Sequence, residues 1–211
     1  VVETALSVIL AVGAGLLLTT FLRLRGTDKG FSEEGLLMAR VAPSSANGES
    51  HDPWVNHYAT LVGRARSIPG VTDVAASLLI PLGDRSWEMR VQPYGATETI
   101  EAGPSVLFNI VSEDFFSVFS IPLLKGRAFT DVDVDKGAPV AVIDESMATQ
   151  FWPGQDPIGQ RITIGERAAD SSMVYRTVVG VAKNVRHYTL REPSRIQVYI
   201  RKDSLSERDF E

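Results

Sequence analysis

The chain has 211 residues, 44% of them hydrophobic and 22% charged, with a net charge of −5 and no cysteine. That length and apolar content allow one or two domains with a sizeable core and exclude a disordered chain. The acidic balance leaves no basic field to neutralise phosphates, which excludes nucleic acid as a partner, and the absence of cysteine removes disulfides and thiolate metal sites.

From Ala5 to Leu22 no charged residue occurs, with Glu3 on one flank and Arg23 and Arg25 on the other. At 1.5 Å per residue this run spans about 27 Å as a helix, close to the roughly 30 Å of a bilayer core. A cleaved signal sequence is the rival reading, but no basic n-region opens the run and no small-x-small site follows Leu22. The expectation is a retained membrane helix, residues 1–25 with its flanks, in a piece of a longer protein. Ser7, Ala11, Gly15 and Thr19 recur every fourth residue and draw small side chains along one helical face, where another helix can approach closely in lipid. Arg23, Arg25 and Lys29 favour a cytoplasmic C-terminal side by the positive-inside tendency.

Residues 26–211 read as a second, soluble region. Gly35–Ala42 is a short apolar run and is expected to be a strand; Pro43–Pro53 is a polar connection. Trp54, Tyr58, Leu61, Val62, Ala65 and Ile68 step at three and four, predicting a helix packed by one stripe and stopped by Pro69-Gly70. Val71–Ile80 is expected to be a strand ended by Pro81 and Gly83. Trp87, Met89 and Val91 alternate with polar residues as in a half-buried strand, and Ser105–Ser112 reads as another. Glu113–Phe119 predicts a helical turn whose Phe115, Phe116 and Phe119 enter the core. Strands are then expected at Pro139–Ile143, Arg161–Ile164, Val174–Ala182 and Ile196–Ile200, with a short helix at Glu145–Trp152. Two strand-helix-strand units with a β-rich insertion between them predict an α+β fold.

No motif for catalysis emerges, so catalytic, cofactor and metal residues are all expected to be absent. Asp131, Asp133 and Asp135 imitate the opening of a calcium loop, but Lys136 and Val142 stand where that loop needs Gly and Glu, so the run reads as a solvated acidic turn. His51, His57 and His187 lie outside any H-E-x-x-H frame and read as surface or helix-end residues. Neither G-x-S-x-G nor a P-loop is present, and a membrane-anchored hydrolase lacks support.

Several segments, in order, resemble the periplasmic-domain region of MacB/FtsX-type ABC permeases, in particular the duplicated-permease group. They are the span from Glu3 to Leu18, its exit Asp28-Lys-Gly-Phe31, Pro69-Gly-Val71 with Pro81-Leu-Gly83, Phe115-Phe116 followed by Ile121–Asp131, Pro139–Glu145, Phe151-Trp-Pro-Gly154 with Asp156–Ile162, and Val178–Val181 with Val185-Arg186. The resemblance implies a porter-like strand-helix-strand subdomain with an inserted second subdomain at roughly 82–138. It also implies a bacterial inner-membrane protein whose domain lies outside, the opposite of the orientation favoured by Arg23 and Arg25. Implied partners are a separate ATPase subunit, a periplasmic adaptor protein and a second permease half forming a dimer or pseudo-dimer, with a role in mechanotransmission for export. The Pro/Gly turns at Phe151–Gly154 and Asp156–Gly159 are expected to set subdomain geometry. The competing expectation is a single-pass anchored sensor acting on an envelope enzyme.

Overall fold

In the computed structural model, which describes residues 2–25, 28–41, 53–83, 85–130, 132–133, 139–168, 170–187 and 194–201, the N-terminal apolar run is one helix, α1 (Val2–Arg25). None of the other described residues covers its apolar window, and the segment Val2–Leu22 is long and apolar enough to cross a membrane. Three of its hydroxyls are satisfied within the helix: Ser7, Thr19 and Thr20 donate to the Glu3, Gly15 and Leu16 carbonyls at 2.8 Å, as lipid requires.

The remaining elements are α2 (Pro53–Arg66), β1 (Glu88–Arg90), β2 (Gln92–Pro93), a single 3-10 turn (Ile100–Ala102), β3 (Ser105–Val111), α3 (Phe115–Val118), β4 (Leu123–Gly126), β5 (Val140–Asp144), α4 (Glu145–Phe151), β6 (Arg161–Thr163), β7 (Arg176–Ala182) and β8 (Gln197–Arg201). The strands form one mixed sheet in the order β1-β3-β8-β5-β7-β6-β2. β3 and β8 are parallel, as are β5 and β7, whereas β5 and β8 run antiparallel. Beyond β7, β6 pairs with its first half and β4 with its second, both antiparallel.

The central strands are apolar on both faces because both are covered, the reading that continuous Val/Ile runs support. Ala141 and Ile143 of β5 face a core with Val106, Phe108, Met147, Trp152, Ile162 and Val198. Val140 and Val142 face the other, built from Phe115, Phe116, Phe119, Phe129, Val185 and Tyr199. The three phenylalanines of the α3 turn are therefore core residues, as expected. A bulge interrupts the register where Ala141 pairs with Val178 but Val142 pairs with Gly180. Gly180 sits opposite Gly126 of β4, and a Cβ on it would lie 2.3 Å from the Arg127 carbonyl oxygen, so this crossing admits no side chain.

The mixed helix-and-sheet fold and the apolar N-terminal helix agree with the sequence reading, and one strand-helix-strand unit, β5-α4-β7, forms as expected. The first such unit does not. Gly35 to Val41 runs without strand pairing, with Leu37, Met38 and Val41 exposed, and Ala42 lies outside the described residues. Val71–Ile80 makes a single bridge, Ser77 to Val111. Two backbone bonds of 2.9 Å make that bridge, from the Leu78 amide to the Ile110 carbonyl and from the Ser112 amide to the Ala76 carbonyl, and beside them the Asn109 Oδ1 accepts from the Leu79 amide at 2.9 Å while its Nδ2 donates to the Leu79 carbonyl at 3.0 Å. In the second half of α2 Leu61 is exposed and Val62 and Ala65 are only half-buried, and Arg66 meets Asp114 at 2.5 Å; the side chains of Trp54 and Tyr58 lie outside the described residues. Strands β1 to β4, contributed by the 82–138 stretch, belong to the same sheet as β5 to β8.

Candidate coupling junction

Two residues separate the end of α1 from a segment that is fastened to the domain, Asp28 to Ser32. Asp28 starts it with an Asx turn, its Oδ1 accepting from the Gly30 amide at 2.9 Å. Gly30 is buried with φ of +82°, and a Cβ there would come 2.0 Å from the Asn184 carbonyl oxygen. Only glycine allows the backbone this close. Phe31 then sets its ring edge-on to Phe119 at 6.1 Å, and the Ser32 amide donates to the Phe119 carbonyl at 3.0 Å.

The receiving surface is the loop after β7, residues 183–187. Its Arg186 amide donates to the Lys29 carbonyl at 3.0 Å, the Arg186 Nε to the Asp28 carbonyl at 3.2 Å, and Lys183 Nζ bonds the Asp28 carboxylate. Lys183 and the Gly30 amide hold the Asp28 carboxyl below its usual range. The loop is anchored in turn: the Lys183 amide donates to the Pro122 carbonyl at 2.8 Å, Val185 is buried, and Asn184 Oδ1 accepts from the Ser146 amide at 3.0 Å. That last bond joins the loop to the N-terminus of α4, whose Met147 amide is capped by Asp144 Oδ1 at 2.8 Å. From Asp28 to the centre of the sheet the contacts are continuous, combining backbone bonds with those of the Lys183, Arg186, Asn184 and Asp144 side chains.

Beneath the loop lies a buried polar group. His187 Nε2 is 2.7 Å from Gln197 Oε1, which also accepts from Tyr199 Oη at 2.9 Å. Burial pushes the Asp144 carboxyl up to about 7, holds His187 below its ordinary value and raises the Tyr199 phenol. His187 is thus an interior residue, contrary to the surface position expected, because Gln197 satisfies its ring. His51 lies outside the described residues, and the side chain of His57 does as well.

A family model for the MacB-like periplasmic core domain matches residues 3–208. The chain belongs to this family. Among curated relatives, the probable syringafactin export ATP-binding/permease protein SyfD of Pseudomonas syringae pv. tomato is 36% identical over 77 residues, 36% of this chain and 10% of that protein. The macrolide export ATP-binding/permease protein MacB of Neisseria gonorrhoeae is 34% identical over 73 residues, 35% of this chain and 10% of its own. The matched stretches therefore span about a tenth of these relatives. The periplasmic region of MacB from Actinobacillus actinomycetemcomitans aligns with a TM-score of 0.50 at 17% identity, covering 72% of this chain and 58% of that one. That likeness supports the fold. The chain is thus a MacB-like periplasmic core domain of the kind carried by ABC transporter permeases, preceded by an apolar helix.

Ser7, Ala11, Gly15 and Thr19 all lie on α1, away from the junction. Of the three calcium-like aspartates, Asp133 forms a two-pronged pair with Arg127 at 2.6 and 2.8 Å and accepts from the Thr130 amide. Arg127 holds the Asp133 carboxyl down to about 2. Asp131 and Asp135 lie outside the described residues. The Pro/Gly turns serve β6: Gly154 and Gly159 take positive φ, Trp152 is buried, and the Gly159 amide donates to the Val178 carbonyl at 2.9 Å. Sequence reasoning named Asp28–Phe31 as the exit but missed Lys183 and Asn184 as its seat. The available signal was the single Asn between β-branched Val181 and Val185, a loop residue closing a strand.

Proposed function

We propose that this domain is the force-receiving, extracytoplasmic part of an ABC permease subunit in a bacterial inner membrane. In this reading residues 1–25 are the membrane helix and flanks, and 26–211 the external domain with an insertion near 82–138. A separate ATPase subunit moves the membrane helices, a second permease half pairs with this one, and a periplasmic adaptor receives the movement. Ser7, Ala11, Gly15 and Thr19 face a neighbouring helix in the membrane. Export is the work that the relatives' names describe, and the domain contributes motion to it rather than chemistry.

The supporting observation is the junction: a helix that ends at Arg25 is followed at once by a segment bonded to the β7 loop through the Arg186 amide, Lys183 and the close approach of Gly30 to Asn184. An anchor that merely tethered a sensor would need no such seat, and a flexible linker would serve it. The test is to insert a six-residue Gly/Ser segment between Arg25 and Asp28 in the complete permease. Fluorophores carried by a non-canonical residue at the exposed Thr97 position of the paired halves report ATP-driven domain movement. Loss of that movement with ATP turnover retained supports the reading, and unchanged movement contradicts it.

A further inference from the structure

Strand β7 carries the membrane-helix seat at one end and a surface of different character at the other. The seat follows Ala182 and Tyr175 immediately precedes Arg176, so at about 3.3 Å per residue the two lie more than about 20 Å apart along the strand. Arg161, the first residue of β6, lays its guanidinium over the Tyr94 ring there, 3.6 Å from its centroid and 5.8 Å from that of Tyr175. The two tyrosine rings meet edge to face at 4.9 Å. The backbone fixes the set, because the Tyr94 amide donates to the Arg161 carbonyl at 2.7 Å, next to the rung where Pro93 faces Ile162. Tyr94 nevertheless stays 56% exposed, and Arg161 is exposed as well.

Lys125, Arg127, Arg176, Lys183 and Arg195 each hold a carboxylate, whereas Arg161 has no ion pair among the described residues. A guanidinium resting on a ring face is weakly hydrated and keeps N–H donors for a two-pronged bond to a carboxylate. Tyr175 also lines a cleft of about 330 Å³ beside this platform, whose apolar lining is Pro93, Ala96, Ile100 and Met173. That volume lies at the lower end of what ligand-binding clefts enclose. Exposed tyrosine and arginine next to an apolar pocket are the side chains that carry most of the energy of protein interfaces.

We propose that Tyr94, Arg161 and Tyr175, with the adjoining cleft, form a docking site for an acidic loop of a partner protein, its carboxylate on the Arg161 guanidinium and a neighbouring apolar side chain in the cleft. One cation is too few for a phosphate polymer or an anionic bilayer, whose attraction is summed over many charges. The cleft is also lined by Glu98 and Glu101. Glu101 is held below its ordinary value by its own amide, by Thr99 and by Arg167. Glu98 repels a second acid, so the loop that fits carries one carboxylate, at the Arg161 end. The seat, at the other end of β7, leaves this site clear.

The experiment is fluorescence anisotropy of a rhodamine-labelled peptide, Gly-Gly-Asp-Leu-Gly-Gly, titrated with the whole chain in neutral-lipid nanodiscs at low ionic strength. Saturable binding is expected, and Asn in place of Asp in the peptide, or Arg161→Gln in the protein, should weaken it about tenfold through loss of one charge-assisted contact. Ala96→Trp fills the cleft from an exposed turn and should weaken it as well. Absence of saturable binding at millimolar concentration overturns the proposal, as does unchanged binding in R161Q or A96W. Tighter binding of a peptide with Lys in place of Asp also overturns it and gives the cleft to Glu98. The peptide series on the wild type needs no variant, and superimposable urea unfolding curves check that R161Q and A96W keep the fold. Neither movement nor export enters the readout, so its failure is separate from failure of the force-receiving role.

Discussion

Replacing Gly30 with alanine places a methyl group 2.0 Å from the Asn184 carbonyl oxygen on a residue whose φ is +82°. A non-glycine residue in this backbone region costs about 1–3 kcal/mol. The overlap is with backbone, so it cannot be relieved by a rotamer change, and the exit segment must lift. Lifting gives up the Arg186-to-Lys29 and Ser32-to-Phe119 hydrogen bonds, each worth about 1 kcal/mol, and the Phe31–Phe119 ring contact, about 0.5–1.5 kcal/mol. Even a loss of about 3 kcal/mol reduces protection against local opening by roughly 100-fold. The substitution raises the native state relative to the opened and the unfolded states alike, so global unfolding of G30A is expected to lose up to the same roughly 3 kcal/mol while the core strands still assemble. Hydrogen exchange resolved at single amides checks this: in G30A Arg186 and Ser32 should exchange through local opening with little protection, while Val142 and Tyr199 still require global unfolding and stay the better protected. Wild-type protection at Arg186 and Ser32 in G30A would show that the exit segment is not seated as described.

Gly180→Val should lower the stability read from urea unfolding by more than about 2 kcal/mol through its clash with the Arg127 carbonyl, whereas Gly154→Ala, with open space around it but φ of +72°, should cost about 1 kcal/mol. Asn109→Leu removes both bonds to Leu79 and is expected to cost about 2–4 kcal/mol in the same assay and to expose the Leu79 amide to exchange. Because the folded-state pKa of Asp144 is raised from 3.8 to about 7, the native state holds its proton more tightly than the unfolded chain does. Its contribution is fully present below pH 4 and is lost as pH rises through about 7, on the order of 4 kcal/mol in all; D144N should flatten that part of a stability-versus-pH curve measured by denaturant unfolding. Gly15→Leu is expected to reduce recovery of the assembled complex after detergent extraction while the domain stays folded, and unchanged recovery would remove the helix-packing role of the stripe.

Strands buried on both faces were plain in the sequence because nothing polar interrupts them: Val140–Ile143 and Val198–Ile200 could only be interior. Phe115, Phe116 and Phe119 were legible for the same reason, having no role but packing. Val71–Ile80 misled because an apolar run says that it is near other chain, not how much of its backbone pairs: it joins β3 only around Ser77, and the Asn109 side-chain amide, thirty residues from Leu79, takes the place of a further rung. Leu37 and Val41 had the right composition for a strand but pair with no strand among the described residues. In the junction, Asp28 and Lys183 are 155 positions apart, and no local pattern joins them. Gly180 was the more readable sign, since an isolated glycine within Val178-Val179-Gly180-Val181 marks a bulge or a close crossing, and here it marks both.

The force-receiving role is tested most directly by locking the seat shut. These 211 residues have no cysteine, so in a permease whose other cysteines have been replaced the pair Lys29→Cys and Arg186→Cys, whose backbones share a 3.0 Å hydrogen bond, can be oxidised selectively. If the junction stays closed while it carries motion, the cross-linked permease keeps the ATP-driven movement reported from the Thr97 position, and reduction changes nothing. Movement abolished by the cross-link and restored by reductant would mean that the junction must open during the cycle, and that the membrane helix does not drive the domain through it.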